Sequence, residues 1–149
     1  MRPGPNDRGL PDPSAFIPWT ATVERAVSYV QGFSCVDPNR VGLLGLSLGG
    51  FVGTSVAAND SRIRSVVTLS GGMPDPVAAN LRHMPPTLIV HGDQDQDVPV
   101  MEAYKLHNNM ASKGLWHDLE ILPCEGHLPY QTYKEAVAKK VLSFFDRTL

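Results

Sequence analysis

The sequence predicts an α/β fold, a three-layer sandwich in which a mostly parallel sheet of about four strands lies between helices. Short apolar and β-branched runs alternate with longer segments whose apolar residues recur at helical spacing. Strands that alternate with helices in this way form parallel sheets with both faces covered. The 149 residues, 42% hydrophobic and 19% charged, suit a single domain with a buried core.

The first part of the chain divides into an irregular segment, a helix and a strand. Residues 1–18 contain five prolines and two glycines, which predicts an irregular segment ahead of a folded portion spanning residues 19–149. Apolar residues recur at helical spacing from Trp19, and Gly32 stands where a C-terminal cap is expected. After an Asp-Pro-Asn turn, the compact apolar run 41–46 predicts a buried strand.

The middle of the chain continues the alternation. Small residues over 48–60 predict a helix that packs closely against the sheet, and 63–69 predicts a second strand rich in β-branched residues. The Pro-rich segment 71–86 has room for one short helix and leads to a third strand over 87–90.

The last part of the chain adds one further strand between two helices. Residues 100–113 predict a helix that Gly114 ends. Alternating apolar residues predict a fourth strand over 118–122, and helical spacing predicts a closing helix over 131–147.

Composition excludes several classes of partner. The net charge of −2 and the lack of a Lys/Arg-rich run argue against nucleic acid binding. No apolar stretch is long enough to cross a membrane, and the N-terminus lacks the apolar core of a signal peptide, so we expect a cytoplasmic protein. Cys35 and Cys124 have no C-x-x-C spacing, which predicts reduced, buried thiols and neither a zinc ribbon nor a disulfide framework.

Ser47 is the candidate nucleophile, because it lies in a Gly-Leu-Ser-Leu-Gly sequence between a predicted strand and a predicted helix. A serine at such a sharp turn needs uncrowded neighbours, so Gly45 and Gly49 are expected to relieve steric conflict. The same turn directs the backbone N–H of Leu48 toward a developing oxyanion. A dinucleotide or phosphate loop is not indicated, because neither G-x-G-x-x-G nor G-K-[ST] is present.

Three carboxylates compete to orient a catalytic histidine. Asp93, Asp95 and Asp97 follow the third strand within His-Gly-Asp-Gln-Asp-Gln-Asp-Val-Pro. Side chains there emerge at the carboxyl edge of the sheet. The Asp-x-Asp-x-Asp pattern resembles the start of a calcium loop but lacks that loop's glycine and glutamate.

His127 is the candidate base, because it follows the fourth strand directly and can meet a serine that emerges from the first strand. Surface or core positions suit His83, His107 and His117 better. No histidine pair has metal-ligand spacing, so we predict neither a metal nor a cofactor.

From Trp19 to the C-terminus the motifs resemble the dienelactone hydrolase and prolyl oligopeptidase branch of the α/β-hydrolase superfamily. Asp-Pro-Asn-Arg-Val-Gly-Leu-Leu-Gly-Leu-Ser-Leu-Gly-Gly resembles that branch's nucleophile elbow, His-Gly-x-x-Asp-x-x-Val-Pro its acid segment, and Glu-Gly-His its histidine loop. The resemblance implies Ser47 as nucleophile, Asp95 as acid and His127 as base. Asp97 is the runner-up acid.

The same resemblance leaves Asp93 as a solvated turn residue and implies a serine hydrolase that cleaves a carboxylic ester. Dienelactone hydrolase itself uses a cysteine nucleophile, so the serine suggests a broader esterase-like relative. The alternatives are a serine peptidase of the prolyl oligopeptidase type and a weakly active or non-catalytic fragment with a binding role.

The resemblance is incomplete at the N-terminal end, since the superfamily's sheet normally begins with several strands before the one leading to the nucleophile. We therefore expect residues 19–149 to form the C-terminal portion of a truncated α/β-hydrolase domain, without the loop that supplies a second oxyanion donor. The strand over 41–46 would then expose an apolar edge, so we expect dimerisation through that edge, or poor solubility.

Overall fold

The computed structural model describes residues 16–128 and 130–149. Helices and strands alternate along these ranges, as the sequence predicts. In chain order they are α1 (Phe16–Gln31), β1 (Val41–Leu46), α2 (Leu48–Ala57), β2 (Ile63–Leu69), α3 (Asp75–Ala79), β3 (Thr87–Gly92), α4 (Met101–Ser112), β4 (His117–Leu122) and α5 (Tyr130–Thr148).

The four strands form one parallel sheet in the order β1-β2-β3-β4. Successive side chains of a strand point to opposite faces. Val66 and Ile89 therefore pack with α1, α2 and α4, whereas Val67, Leu88 and Val90 pack with α5. Helices cover both faces, and the predicted α/β sandwich is confirmed. No helix within the described ranges is long and apolar enough to cross a membrane.

Most predicted boundaries agree with the structure to within a few residues. The main difference is at α1, which begins at Phe16, so residues 16–18 are helical and not part of an irregular segment. Pro18 is tolerated there because the first turn of a helix has no intrahelical partner for its N–H groups. Residues 1–15 lie outside the described residues.

The expectation of buried cysteines is wrong. Cys35 and Cys124 are free thiols, and both are exposed. Each lies in a turn, Cys35 after α1 and Cys124 after β4. Burial of a free cysteine requires a core-facing position in a packed element, which neither turn provides.

The first strand, β1, is an edge strand, and the expectation that the run 41–46 is a buried strand is wrong. Only Gly45 is fully buried, and 56% of the Leu44 surface is exposed. Beside the strand runs an apolar groove of about 500 Å³, lined by residues of β1, α1 and α2 that include Trp19 and Val52. An apolar edge strand presents unpaired backbone groups to other chains.

We expect the chain to self-associate through β1, and Leu44→Lys to weaken that association by placing a charge on the edge. Sedimentation velocity over a micromolar concentration series measures the effect. Met101→Lys is the matched control, because Met101 is 57% exposed on α4, a helix that packs on β3 and β4 and not on β1. Equal association of both variants and the wild type would contradict a role for β1.

Candidate active site

Ser47 lies between the end of β1 and the start of α2 in a strained backbone conformation, with φ 54° and ψ −123°. Non-glycine residues populate this region rarely, and such strain is typical of functional positions. The Ser47 N–H donates a hydrogen bond of 2.8 Å to the Leu69 carbonyl at the end of β2. The sheet therefore holds the strained turn in place.

Gly45, and not Gly49, provides the space that the turn requires. A Cβ on Gly45 would lie 2.2 Å from the Gly49 carbonyl oxygen, whereas a Cβ on Gly49 would meet nothing within 4 Å. The second crowded glycine is Gly50, whose Cβ would lie 2.3 Å from Thr68 Oγ1. The predicted steric role of Gly49 is therefore wrong, and Gly50 takes it because α2 packs closely on β2.

The backbone N–H of Leu48 begins α2. The first N–H groups of a helix have no intrahelical acceptor and favour negative charge. The Ser47 side chain makes no capping hydrogen bond. Within the described residues no backbone carbonyl outside the helix accepts the Leu48 N–H, which leaves this donor for an oxyanion beside Ser47.

Asp95 is a buried carboxylate held by several donors. Its Oδ1 accepts the backbone N–H groups of Asp97 at 2.9 Å and Val98 at 2.8 Å. Its Oδ2 lies 2.9 Å from Nδ1 of His127. Asp97, the alternative acid, is exposed and contributes its backbone N–H to Asp95.

His127 follows β4 and contacts Asp95 through Nδ1, at 2.9 Å from Oδ2 and 3.1 Å from Oδ1. A carboxylate only accepts hydrogen bonds, so Nδ1 is the nitrogen that donates to Asp95, and Nε2 is the ring nitrogen left for another partner. The His127 side chain is 20% exposed. The structure thus joins two of the predicted residues, Asp95 and His127, by direct contact.

Ser47 lies at the same carboxyl edge of the sheet as these two residues, because β1, β3 and β4 run parallel. Among the described side chains, Ser47 and His127 form no hydrogen bond with each other. Catalytic hydrogen bonds are often long without substrate and tighten when it binds.

Backbone hydrogen bonds connect the acid and histidine loops. The Asp93 N–H donates to the Leu122 carbonyl at 3.1 Å, and the Gln94 N–H to the Glu125 carbonyl at 2.9 Å. Asp93 Oδ1 accepts the N–H of Cys124 at 2.7 Å. Asp93 is therefore not merely a solvated turn residue: its carboxylate holds the turn in which Cys124 adopts a left-handed φ of 61°.

Two residues that the sequence analysis did not assign to the site, His91 and Gly92, support it. A Cβ on Gly92 would lie 2.3 Å from the Glu125 carbonyl oxygen, so glycine permits the two loops to approach. His91 is fully buried, with Nε2 2.9 Å from the Val98 carbonyl oxygen and 3.2 Å from Asp95 Oδ2. In the sequence, the His-Gly pair that opens the acid segment was the signal that could have pointed to these two residues.

Two of the other histidines have partners of their own. His117 Nδ1 lies 2.8 Å from the Leu115 carbonyl oxygen, and its Nε2 lies 2.8 Å from Nδ1 of His107. In the part of the chain that the structure describes, no group of three or more His, Cys, Asp or Glu residues is arranged to hold a metal ion.

The fold of this chain is similar to that of solved hydrolase structures. The chain is similar to the structure of esterase PE8, with a TM-score of 0.77 and 18% identity over 97% of this chain and 66% of that chain. It is similar to dipeptidyl peptidase 4 of Porphyromonas gingivalis, with a TM-score of 0.77 and 16% identity over 87% of this chain and 22% of that chain.

A third similar structure is the acetyl ester-xyloside bifunctional hydrolase of Caldicellulosiruptor lactoaceticus, with a TM-score of 0.70 and 24% identity over 86% of this chain and 65% of that chain. These likenesses show that the fold is that of α/β-hydrolases. The chain spans less than two thirds of the length of each of these three structures.

The sequence of residues 73–149, more than half of the chain, matches the model of the prolyl oligopeptidase family. The chain therefore belongs to the prolyl oligopeptidase family, which confirms the resemblance seen in its motifs. No curated protein sequence matches the chain.

The geometry of the turn predicts opposite effects for its two neighbouring glycines. We expect Gly45→Ala to lower the free energy of unfolding by about 3 kcal/mol, because its Cβ meets backbone atoms that cannot rotate away. Gly49→Ala should stabilise the chain by up to about 1 kcal/mol, since it replaces a helical glycine in open space. Urea unfolding followed by circular dichroism measures both, and equal losses would contradict this account of the turn.

Proposed function

We propose that the chain carries the catalytic triad of a serine hydrolase that cleaves a carboxylic ester through an acyl-enzyme. Ser47 is the nucleophile, His127 the general base and Asp95 the acid that orients it. The contact of 2.9 Å between His127 Nδ1 and Asp95 Oδ2 carries the proposal. It supports a basic Nε2 at the sheet edge where the strained Ser47 lies.

The proposed reaction has two halves. His127 Nε2 removes the proton from Ser47 Oγ as Oγ bonds to the ester carbonyl carbon, and the carbonyl electrons move onto oxygen. The Leu48 N–H stabilises this oxyanion. The tetrahedral intermediate then expels the alcohol, which takes the proton from His127. Water repeats the sequence on the acyl-enzyme and releases the acid.

The similarity to esterases supports an ester as the substrate. Esterase PE8 matches 97% of this chain, and the acetyl ester-xyloside bifunctional hydrolase matches 86% of it. Membership of the prolyl oligopeptidase family favours the second candidate, a serine peptidase. Hydrolysis of short-chain p-nitrophenyl esters compared with aminoacyl p-nitroanilides separates the two: activity confined to the anilides would establish the peptidase.

Fluorophosphonate labelling tests the nucleophile directly. The probe phosphonylates only an activated serine, so we expect one labelled site at Ser47 and no labelling of Ser47→Ala. Peptide mass spectrometry identifies the labelled residue. Ser70→Ala is a suitable control, because Ser70 also has a positive φ but is fully buried. An unlabelled wild-type chain would favour the non-catalytic alternative.

The acid assignment predicts unequal effects of two similar substitutions. Asp95→Asn should lower kcat by up to about 10⁴-fold, because an amide no longer fixes the His127 tautomer. Asp97→Asn should remain within a few-fold of the wild type, since it retains the backbone N–H that Asp95 accepts. Steady-state ester hydrolysis gives the comparison, with circular dichroism to establish that both variants fold. Comparable losses would mean that the acid is misassigned.

A further inference from the structure

His91 is a fully buried histidine next to the candidate acid. It is the penultimate residue of β3, and its Nε2 lies between two oxygen atoms. The Val98 carbonyl oxygen is 2.9 Å away and Asp95 Oδ2 is 3.2 Å away. Neither the proposed triad nor the reaction sequence uses this side chain.

The surroundings determine which nitrogen of His91 carries the proton. A carbonyl oxygen and a carboxylate oxygen only accept hydrogen bonds, so Nε2 is the protonated nitrogen. The other nitrogen, Nδ1, is buried and has no hydrogen-bond partner among the described residues. A second proton there would find no acceptor, so His91 is neutral.

The electrostatic setting agrees with this geometry. Burial lowers the pKa of His91 below its usual range, against the opposing effects of the Val98 carbonyl and the Asp95 carboxylate. The nearby His127 acts in the same direction as burial. His91 is therefore a neutral group beside Asp95 and does not form an ion pair with it.

The two oxygens of Asp95 are held differently. Two backbone N–H groups, those of Asp97 and Val98, fix Oδ1. Oδ2 faces side chains instead: His127 Nδ1 at 2.9 Å and His91 Nε2 at 3.2 Å. Without His91, His127 would be the only side chain in the described structure that lies within hydrogen-bond distance of Oδ2.

We propose that His91 is a positioning residue whose Nε2–H holds Oδ2 of Asp95 in the orientation that accepts the His127 Nδ1–H. The same N–H bonds to the Val98 carbonyl, while the Val98 N–H bonds to Oδ1. These bonds link His91 and Asp95 to the same residue of the acid loop, Val98. The inference rests on the proposed function, because the orientation of His127 affects catalysis only where His127 moves a proton.

The tautomer is tested first, in the unmodified chain. Two-bond ¹H–¹⁵N spectra of a ¹⁵N-histidine sample should show His91 protonated at Nε2 and His127 protonated at Nδ1 near neutral pH. Protonation of His91 at Nδ1 would overturn the proposal, since Nε2 could then not donate to Asp95. This measurement requires neither a variant nor enzymatic activity.

The second test follows the His127 ring resonances through a pH titration of His91→Leu and His91→Gln. Loss of the Nε2–H in His91→Leu removes a donor that competes for Oδ2, so Asp95 stabilises a protonated His127 more strongly. The titration midpoint of His127 should therefore rise by about half a pH unit. His91→Gln retains an N–H donor near the Nε2 position and should restore the midpoint. An unchanged midpoint in His91→Leu would overturn the proposal.

Activity then separates this proposal from the proposed function. We expect His91→Leu to lower kcat about 10- to 100-fold, the range for loss of a hydrogen bond to a charged group, with little change in KM. Ile89→Ala, a buried change on the same strand, controls for lost stability and should leave the His127 midpoint unchanged. If the wild type is inactive and unlabelled but His91→Leu shifts the His127 midpoint as predicted, only the proposed hydrolase function is refuted. If the wild type is active but His91→Leu leaves the midpoint unchanged, only the role of His91 is refuted.

Discussion

The pairing of β3 with β4 is the constraint on which the candidate site depends. The two strands are in parallel register up to Gly92 and Leu122, so the loops that follow them leave the sheet at the same edge. The pairing then continues between the loops through the Asp93 and Gln94 N–H groups. Glycine at position 92 permits this approach, because a side chain there would collide with the Glu125 carbonyl. A packed backbone, and not long side chains, thus brings acid and histidine together.

That backbone also stabilises the buried carboxylate of Asp95. Transfer of a carboxylate out of water costs several kcal/mol unless donors replace the lost hydration. The turn after Asp95 supplies two N–H groups to one oxygen, while two histidines face the other. Donors fixed before any substrate arrives need no reorganisation during reaction, which is the basis of electrostatic preorganisation. The acid loop therefore holds its own buried carboxylate, and in the proposed function it would hold that carboxylate ready for His127.

The residues of the candidate site span the whole sheet. Ser47 follows one edge strand, β1, and His127 follows the other, β4, with two strands between them. At roughly 4.8 Å per strand, the strands themselves are about 14 Å apart. The loop after β4 must therefore lean back over β3, and its bonds to the acid loop provide that direction. Asp95 and His127 follow neighbouring strands, β3 and β4, and their side chains are in direct contact.

The sequence by itself determined the four strands, the strand-to-helix setting of Ser47 and the turns that bear Asp95 and His127, because periodicity and turn chemistry are local properties. Tertiary structure decided what depends on distant neighbours. Gly50 and Gly92 matter because of atoms far along the chain, the Thr68 hydroxyl and the Glu125 carbonyl, and β1 is exposed because only β2 pairs with it in the described structure. In the sequence, His91 is only the first residue of the acid-segment motif. Its burial and its two oxygen neighbours exist only after β3 and the acid loop fold together.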